Sequence, residues 1–195
     1  MRNFFLRELR EGLLADLVVM GTHGRTGMRR LMFGSVTEAV MRIVPVPVIA
    51  VNPLATDQAE MEKILCPVNF TPACREALRH AAALASRREA PVVLLHTVDD
   101  AQADIGIEQR SRLHDWLPAD LADRCEMKVI SSTNEADRIV ETATRVRAQL
   151  IAFGVPAGRS ATEPLLGTIA ERVVQRSGCP VLTVNPHAER AREAS

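Results

Sequence analysis

The first candidate for chemistry in this chain is a glycine-rich segment that follows the apolar run at residues 17–20. It contains Gly21, Gly24, Gly34 and Ser35, with nine residues between the second glycine and the third. Glycine lets a backbone turn sharply and approach a ligand without a Cβ in the way. The first amides of a helix that begins near Gly34 have no intrahelical partners, so they can hold a phosphate without a lysine.

A second interpretation of the same segment remains open. Residues 35–38 read Ser-Val-Thr-Glu, the pattern of a capping box, and helix capping alone would explain Ser35 and Glu38. Capping does not explain the glycines, so we favour phosphate binding over turn geometry alone. The segment does not end in Gly-Lys-Ser/Thr as a Walker A loop does, and its spacing differs from that of the GxGxxG dinucleotide motif.

The chain also repeats part of itself. Shifted by 133 positions, residues 15–53 align without gaps with residues 148–186. The identities fall mainly on glycine, proline and apolar positions, which determine turns and core faces, so the two segments are predicted to share one backbone. Three of the aligned pairs belong to the glycine-rich segment: Gly21 with Gly154, Gly34 with Gly167, and Ser35 with Thr168.

This repeat predicts an uneven domain organisation. The stretch of roughly residues 61–147 precedes the second copy and has no counterpart before the first copy. Polar residues after Pro53 are typical of a linker. We therefore predict four segments: the C-terminal part of a first module in residues 1–53, a linker in residues 54–60, a complete second module in residues 61–186, and a tail in residues 187–195.

Apolar strands alternate with amphipathic helices along the predicted second module, residues 61–186, which is called the second copy below. Helices are predicted at residues 72–88, 108–116, Asn134 to about Gln149, and 169–177, and strands at residues 63–68, 91–98, 126–131, 150–154 and 180–184. Strands that are apolar on both faces indicate an α/β fold with a parallel sheet. We predict an open five-stranded parallel sheet with helices on both faces, plus a partial copy of the same fold. Ligands of such sheets bind beyond the carboxyl ends of the strands.

Charge and hydropathy exclude several classes of partner. Lys+Arg and Asp+Glu number 24 each, so no net charge favours nucleic acid or an anionic membrane surface. No apolar run reaches the roughly 18 residues needed to span a bilayer. Residues 1–8 reach a charge too early for the core of a signal peptide, and a cytoplasmic location is therefore expected.

The residue types that usually carry catalysis or bind metals are scattered. The four cysteines (Cys66, Cys74, Cys125 and Cys179) show no CxxC spacing and are expected to be small buried hydrophobic residues. The histidines form no visible cluster, and no Ser/His/Asp or Cys/His arrangement is apparent. We therefore expect neither an enzyme nor a metal held by the chain's own side chains.

Three segments, in the same order, are similar to one known family. Residues 15–27, followed by residues 31–36 and 47–51, resemble the universal stress protein family, whose nucleotide-binding signature is G-x2-G-x9-G-[S/T]. Gly21, Gly24, Gly34 and Ser35 match that signature in full. Residues 63–71 resemble the first strand of the family and the start of its first helix, and residues 94–99 resemble its second strand.

The resemblance implies a fold, a ligand and a set of site residues. The family has a five-stranded parallel α/β sheet of the adenine nucleotide α-hydrolase type, and some members bind ATP while others do not. The implied role is stress-response regulation with slow or no turnover, with ATP and its Mg²⁺ as the cofactor. The residues that correspond to the adenosine side are Pro67, Val68, Asn69 and Thr97, and those that correspond to the phosphate side of the second copy are Gly154, Gly167 and Thr168.

Two departures from the family pattern favour an alternative function. Asn69 stands where nucleotide binders usually have Asp, and it accepts hydrogen bonds less strongly than a carboxylate does. In the second copy Pro156 removes a backbone donor and Ala157 adds a Cβ where the signature has glycine. The alternative is a module without nucleotide that acts through dimerisation or another protein–protein contact.

The last strand of each copy is the expected association edge. Family members dimerise through this strand, which corresponds to residues 47–51 and 180–184 here. Two such strands in one chain predict either an internal pseudo-dimer or a homo-oligomer.

Overall fold

The computed structural model describes residues 15–22, 37, 40–41, 44, 46–55, 62–98, 106–155 and 168–185. Within these ranges lie seven strands, four α-helices with described bounds and one 3-10 helix (Ala119–Arg124), and residues 37, 40 and 41 are also helical. The strands are β1 (Val18–Gly21), β2 (Val48–Val51), β3 (Ile64–Pro67), β4 (Val92–Val98), β5 (Cys125–Ser131), β6 (Leu150–Gly154) and β7 (Val181–Val184). The helices are α1 (Pro72–Ser86), α2 (Gly106–Trp116), α3 (Glu135–Val146) and α4 (Thr168–Arg176).

All seven strands form one sheet in the order β1-β2-β7-β6-β3-β4-β5. The five strands of the second copy lie next to one another and are all parallel, which confirms the predicted five-stranded parallel sheet. β1 and β2 extend this sheet at the β7 end, and they are parallel to each other. The two copies therefore share one continuous sheet.

The two copies meet where β2 pairs with β7, and this pair is antiparallel. Its register places Val48 opposite Thr183, Ile49 opposite Leu182 and Ala50 opposite Val181. Ile49 and Leu182 occupy equivalent positions in the repeat, so the register is that of a local two-fold axis through this pair. The predicted pairing of residues 47–51 with residues 180–184 is therefore present within the chain.

Helices cover both faces of the sheet. On the first face, α1 and α2 pack through Leu78 and Leu113 in a core cluster that includes Ile64. On the second face, α3 and α4 pack through residues such as Ile139 and Val173. Because successive side chains of a strand point to opposite faces, the apolar strands of the second copy contribute to both cores. These surfaces are called the α1/α2 face and the α3/α4 face below.

Helix α3 ends earlier than the sequence pattern predicts. The predicted helix runs to about Gln149, whereas α3 ends at Val146 and Arg147 adopts a left-handed conformation with a φ of 56°. The Gln149 side-chain oxygen accepts hydrogen bonds from the backbone amides of Glu62 (2.9 Å) and Lys63 (2.7 Å). Pairing with the segment that leads into β3 therefore draws this residue out of the helix.

Asn52, just after β2, joins the first copy to a helix of the second. Its side-chain nitrogen donates to the carbonyl oxygens of Val174 (2.6 Å) and Ser177 (2.9 Å), at the C-terminal end of α4. Its side-chain oxygen accepts from the backbone amide of Leu54 at 2.7 Å. Asn52 is buried, so these carbonyls have little access to water as a substitute partner.

We predict that Asn52→Ala lowers the free energy of unfolding by about 1–3 kcal/mol, because it leaves buried carbonyl groups unsatisfied. Urea denaturation monitored by circular dichroism measures this change. Leu54→Ala is the matched control, since Leu54 is exposed and its backbone amide is retained, and its effect should stay within about 0.5 kcal/mol. Equal effects of the two substitutions would contradict a role for the Asn52 amide in joining the copies.

None of the helices in the described ranges has both the length and the apolar composition that a bilayer crossing requires.

Candidate functional site

The predicted site residues that belong to or follow β3, β4 and β6 lie at the carboxyl edge of the sheet. Pro67 ends β3, Val68 and Asn69 follow it, Thr97 lies near the end of β4, and Gly154 ends β6. β3 lies between β4 and β6, so the chain order reverses at β3. Ligand sites of open parallel sheets lie at such a switch point.

A cleft of about 670 Å³ opens at this edge on the α3/α4 face. Thr97 and Val98 contribute from β4, Ile169 and Arg172 contribute from α4, and the remaining lining residues are Ser132, Thr133, Asn134, Glu135 and Ala136. The first turns of two helices therefore border the cleft. Helix N-termini favour negative charge, and Arg172 adds a cation at the same border.

The other predicted adenosine-side residues do not line this cleft. Val68 is buried, and its carbonyl oxygen lies 2.8 Å from Nδ1 of His96. Because a carbonyl oxygen can only accept, Nδ1 is the donor in this contact. His96 and Thr97 are successive residues of β4 and point to opposite faces. The sheet therefore separates Thr97 from the side chains around Val68.

The Asn69 side chain forms hydrogen bonds within its own turn. Its side-chain oxygen accepts from the Thr71 backbone amide at 3.3 Å and from the Thr71 hydroxyl at 2.7 Å. Thr71 in turn caps α1 by accepting from the backbone amide of Cys74 at 3.3 Å. The oxygen that the family resemblance implies as an acceptor for adenosine therefore also stabilises the start of α1.

An aromatic cluster beside Asn69 was missed by sequence reasoning. Phe70, which has a positive φ of 61°, packs edge-on against His96 (4.7 Å between ring centroids) and Trp116 (6.0 Å). Arg112 lies 4.1 Å above the Phe70 ring, and Arg75 lies 5.2 Å above the Trp116 ring. In the sequence, Phe70 and Trp116 stand next to the ends of predicted helices, and this position alone gives no sign of their contact. The packing depends on tertiary contacts between distant segments.

Gly154 has a packing role that its predicted phosphate role did not include. A Cβ at this position would lie 2.2 Å from the backbone carbon and oxygen of Ala73 and 2.3 Å from the nitrogen of Cys74. The first turn of α1 therefore passes directly over the end of β6. Gly21, the equivalent residue of the first copy, is exposed, and its carbonyl oxygen accepts a hydrogen bond from the Thr37 hydroxyl at 3.1 Å.

The comparison with known proteins decides the family. The sequence profile of the Universal stress protein family matches residues 6–52 and 60–185. This chain belongs to the universal stress protein family. The matched ranges include all the predicted site residues of both copies.

Individual universal stress proteins align with this chain over different extents. One from Mycolicibacterium smegmatis is 28% identical over 190 residues, covering 88% of this chain and 62% of the relative. Another from Methanocaldococcus jannaschii is 27% identical over 139 residues, covering 63% of this chain and 81% of the relative. This universal stress protein thus spans less than two thirds of the Mycolicibacterium protein.

Solved structures support the fold. The crystal structure of a universal stress protein from Archaeoglobus fulgidus matches with a TM-score of 0.70 at 19% sequence identity, over 94% of this chain and 66% of that one. A putative universal stress protein from Pseudomonas aeruginosa matches with a TM-score of 0.68 at 17% identity, over 97% of this chain and 70% of that one. At these identities the similarity concerns the architecture alone.

Several predicted site residues lie outside the described part of the chain. These are Gly24, Gly34, Ser35, Gly167 and the side chain of Thr168, together with Pro156 and Ala157, the residues at which the second loop departs from the family pattern. The backbone of Thr168 is described, and it is the first residue of α4. The phosphate side therefore stays a prediction in both copies, and α4 begins next to the cleft residue Ile169.

We predict that Gly154→Ala lowers the free energy of unfolding of this universal stress protein by about 1–3 kcal/mol, because the new Cβ would overlap backbone atoms of α1. Thermal unfolding followed by circular dichroism measures the decrease in Tm. Gly178→Ala is the matched control, since a Cβ there would meet nothing within 4 Å. If both variants unfold at the temperature of the parent, the close approach of α1 to β6 does not restrict this position.

Proposed function

We propose that this universal stress protein binds an adenine nucleotide, ATP in the first instance, in the cleft at the carboxyl edge of the second copy. The observation that carries the proposal is the cleft itself, which joins Thr97 of β4 to the first turn of α4. In this proposal the adenosine lies on the Thr97 side, and the phosphates lie towards Gly154, Gly167 and Thr168.

The electrostatics of the cleft suit this orientation. The phosphates would face the N-terminal turn of α4, where free amides and the helix dipole favour an anion, and Arg172 is exposed at that border. Glu135 lines the opposite side of the cleft, at the start of α3, where a phosphate would be repelled. Among the described residues, no group of three or more His, Cys, Asp or Glu side chains is arranged to hold a metal ion. In this proposal Mg²⁺ therefore arrives with the ATP phosphates.

A related protein supports the class of ligand. One universal stress protein has been crystallised in complex with cAMP, and its structure matches this chain with a TM-score of 0.50 at 21% identity, over 65% of this chain and 98% of that one. Both cAMP and ATP carry adenosine and phosphate, so the same class of ligand is proposed here. We further propose a regulatory role in the stress response, in the cytoplasm, with slow or no turnover of the nucleotide.

The contacts of Asn69 favour a second candidate function. Its side-chain oxygen already accepts two hydrogen bonds from Thr71, so adenosine would have to share this acceptor. The second candidate is a universal stress module that holds no nucleotide and acts by associating with a protein, including another copy of itself. In the first copy, Gly21, Gly24, Gly34 and Ser35 would then serve turn geometry and capping.

Calorimetric titration of the chain with Mg·ATP tests the first candidate against the second. We expect saturable binding, and we expect Arg172→Ala to weaken it about tenfold, which corresponds to about 1.4 kcal/mol, because one cation near the phosphates is lost. Arg145→Ala is the matched control, since Arg145 is an exposed arginine in the last turn of α3, at the other end of that helix from the cleft.

Each outcome favours one candidate. Binding that weakens in Arg172→Ala and not in Arg145→Ala supports the cleft as the nucleotide site. Binding that neither substitution changes removes the cleft from the proposal. If Mg·ATP gives no heat, and mass spectrometry finds no nucleotide released from the denatured protein, the module without nucleotide is favoured. Light scattering then measures its association state directly.

A further inference from the structure

A single histidine contacts both residues that flank Asn69. His96 is the fifth residue of β4, and it is partly buried on the α1/α2 face. Its Nδ1 donates to the carbonyl oxygen of Val68 at 2.8 Å, and its ring packs edge-on against Phe70 with 4.7 Å between the centroids. His96 is not among the described residues that line the cleft. Its contacts reach the segment after β3 from the opposite face of the sheet.

The backbone of Val68 is held at both of its polar atoms. Its amide donates to the carbonyl oxygen of Leu95 at 2.8 Å, and its carbonyl oxygen accepts from the His96 ring. The register of β3 with β4 ends at Pro67 and Leu95, so Val68 and His96 are the next pair along it. A side chain of β4 therefore holds the first residue beyond the end of β3.

Phe70 adopts a backbone conformation that needs support from its surroundings. Its φ is 61°, in the left-handed region that residues with a Cβ rarely adopt. Its ring contacts His96 and Trp116 edge-on, and Arg112 lies 4.1 Å above it. A strained residue persists only where its surroundings determine its conformation, and such residues cluster at ligand sites. His96 is therefore one of the contacts that fix the turn after Asn69.

The two helices of this face hold the aromatic cluster in place. Arg75 of α1 donates from Nη2 to the carbonyl oxygen of Trp116 at 3.2 Å, and its guanidinium lies 5.2 Å above the Trp116 ring. Trp116 ends α2, so this contact joins the end of α2 to the start of α1. Because Phe70 contacts Trp116, the ring that His96 faces belongs to a supported cluster. Side chains supported in this way hold a site in one geometry before the ligand arrives.

One position further along both chains come Asn69 and Thr97. Thr97 lines the cleft, and Asn69 is exposed at the same edge of the sheet. Both belong to the residues that the family resemblance implies for adenosine. Contacts on both neighbours of Asn69 therefore set where this residue lies relative to Thr97.

We propose that His96 is a positioning residue for the adenosine part of the nucleotide. It holds the Val68 carbonyl and the Phe70 ring, and it thereby keeps Asn69 in place at the border of the cleft. Without the hydrogen bond from Nδ1, the peptide unit after Val68 could rotate, and ordering it again would lower the affinity for the nucleotide. Because this role concerns the affinity of the same site, it rests on the proposed function.

Two amide substitutions separate the hydrogen bond from the polarity of the side chain. The Asn side chain carries its N–H groups close to the position of Nδ1, whereas the longer Gln side chain carries them close to the position of Nε2. His96→Asn can therefore still donate to the Val68 carbonyl, and His96→Gln cannot do so without a shift of the backbone.

Calorimetric titration of the full chain with Mg·ATP measures the effect. We expect His96→Gln to bind about tenfold more weakly than the parent, as for the loss of one well-placed hydrogen bond, and His96→Asn to stay within about threefold. His114→Gln is the matched control, since His114 is an exposed histidine in the last turn of α2, and it should bind as the parent does. Circular dichroism verifies that each variant is folded at the temperature of the titration. If His96→Gln does not fold, His96→Leu removes the donor, keeps an apolar group against Phe70, and should show the same loss.

The outcomes separate this proposal from the proposed function. Weaker binding in His96→Gln with recovery in His96→Asn supports the positioning role. If the parent binds Mg·ATP and His96→Gln binds equally well, the positioning role is wrong and the nucleotide site stands. An equal loss in both amide variants also overturns it, because the position of the donor would then have no effect. If the parent does not bind Mg·ATP, the proposed function fails, and the role of His96 fails with it.

Discussion

The antiparallel pairing of β2 with β7 is the contact that makes one sheet of the two copies. It places Ile49 of the first copy opposite Leu182 of the second, which are equivalent residues of the repeat. A two-fold axis perpendicular to the sheet relates two equivalent strands that run in opposite directions. The strands on either side of this pair therefore run antiparallel to each other, whereas within each copy they are parallel. The buried carbonyls at the end of α4 are then satisfied by Asn52 of the opposite copy, which reinforces the same junction.

At the carboxyl edge of the second copy, the sheet separates two different environments. On the α3/α4 face, Thr97 and Arg172 border an open polar cleft. On the α1/α2 face, Phe70 packs against His96 and Trp116, and arginine side chains lie over the Phe70 and Trp116 rings. Neighbouring residues of one strand therefore serve opposite purposes, one facing space for a ligand and one filling a packed cluster.

The segment between β3 and α1 connects these environments. Asn69 and Thr71 organise the start of α1, Gly154 accepts the close approach of that helix, and Cys74 bonds back to the end of β3. One short segment therefore carries helix capping, close packing and a hydrogen bond back to the end of β3. The same segment contains Val68 and Asn69, which the family resemblance implies for adenosine.

The order and type of the elements of the second copy follow from local patterns, as does the parallel sheet. Periodicity and proline act over a few positions, and they already specify that α1 begins at Pro72. The repeat also predicted the pairing of residues 47–51 with residues 180–184, because equal apolar edges associate. The family could likewise be recognised from the spacing of Gly21, Gly24, Gly34 and Ser35.

Contacts between residues distant in sequence decided the rest. Helix α3 ends at Val146 because Gln149 bonds to the strand segment at Lys63, which lies 86 positions away. The engagement of the Asn69 oxygen and the aromatic packing of Phe70 with Trp116 also depend on how elements meet. Sequence by itself determined which elements form and which family they build. Only the tertiary structure decided which side chains share a face, because that depends on strand order and helix approach rather than on local pattern.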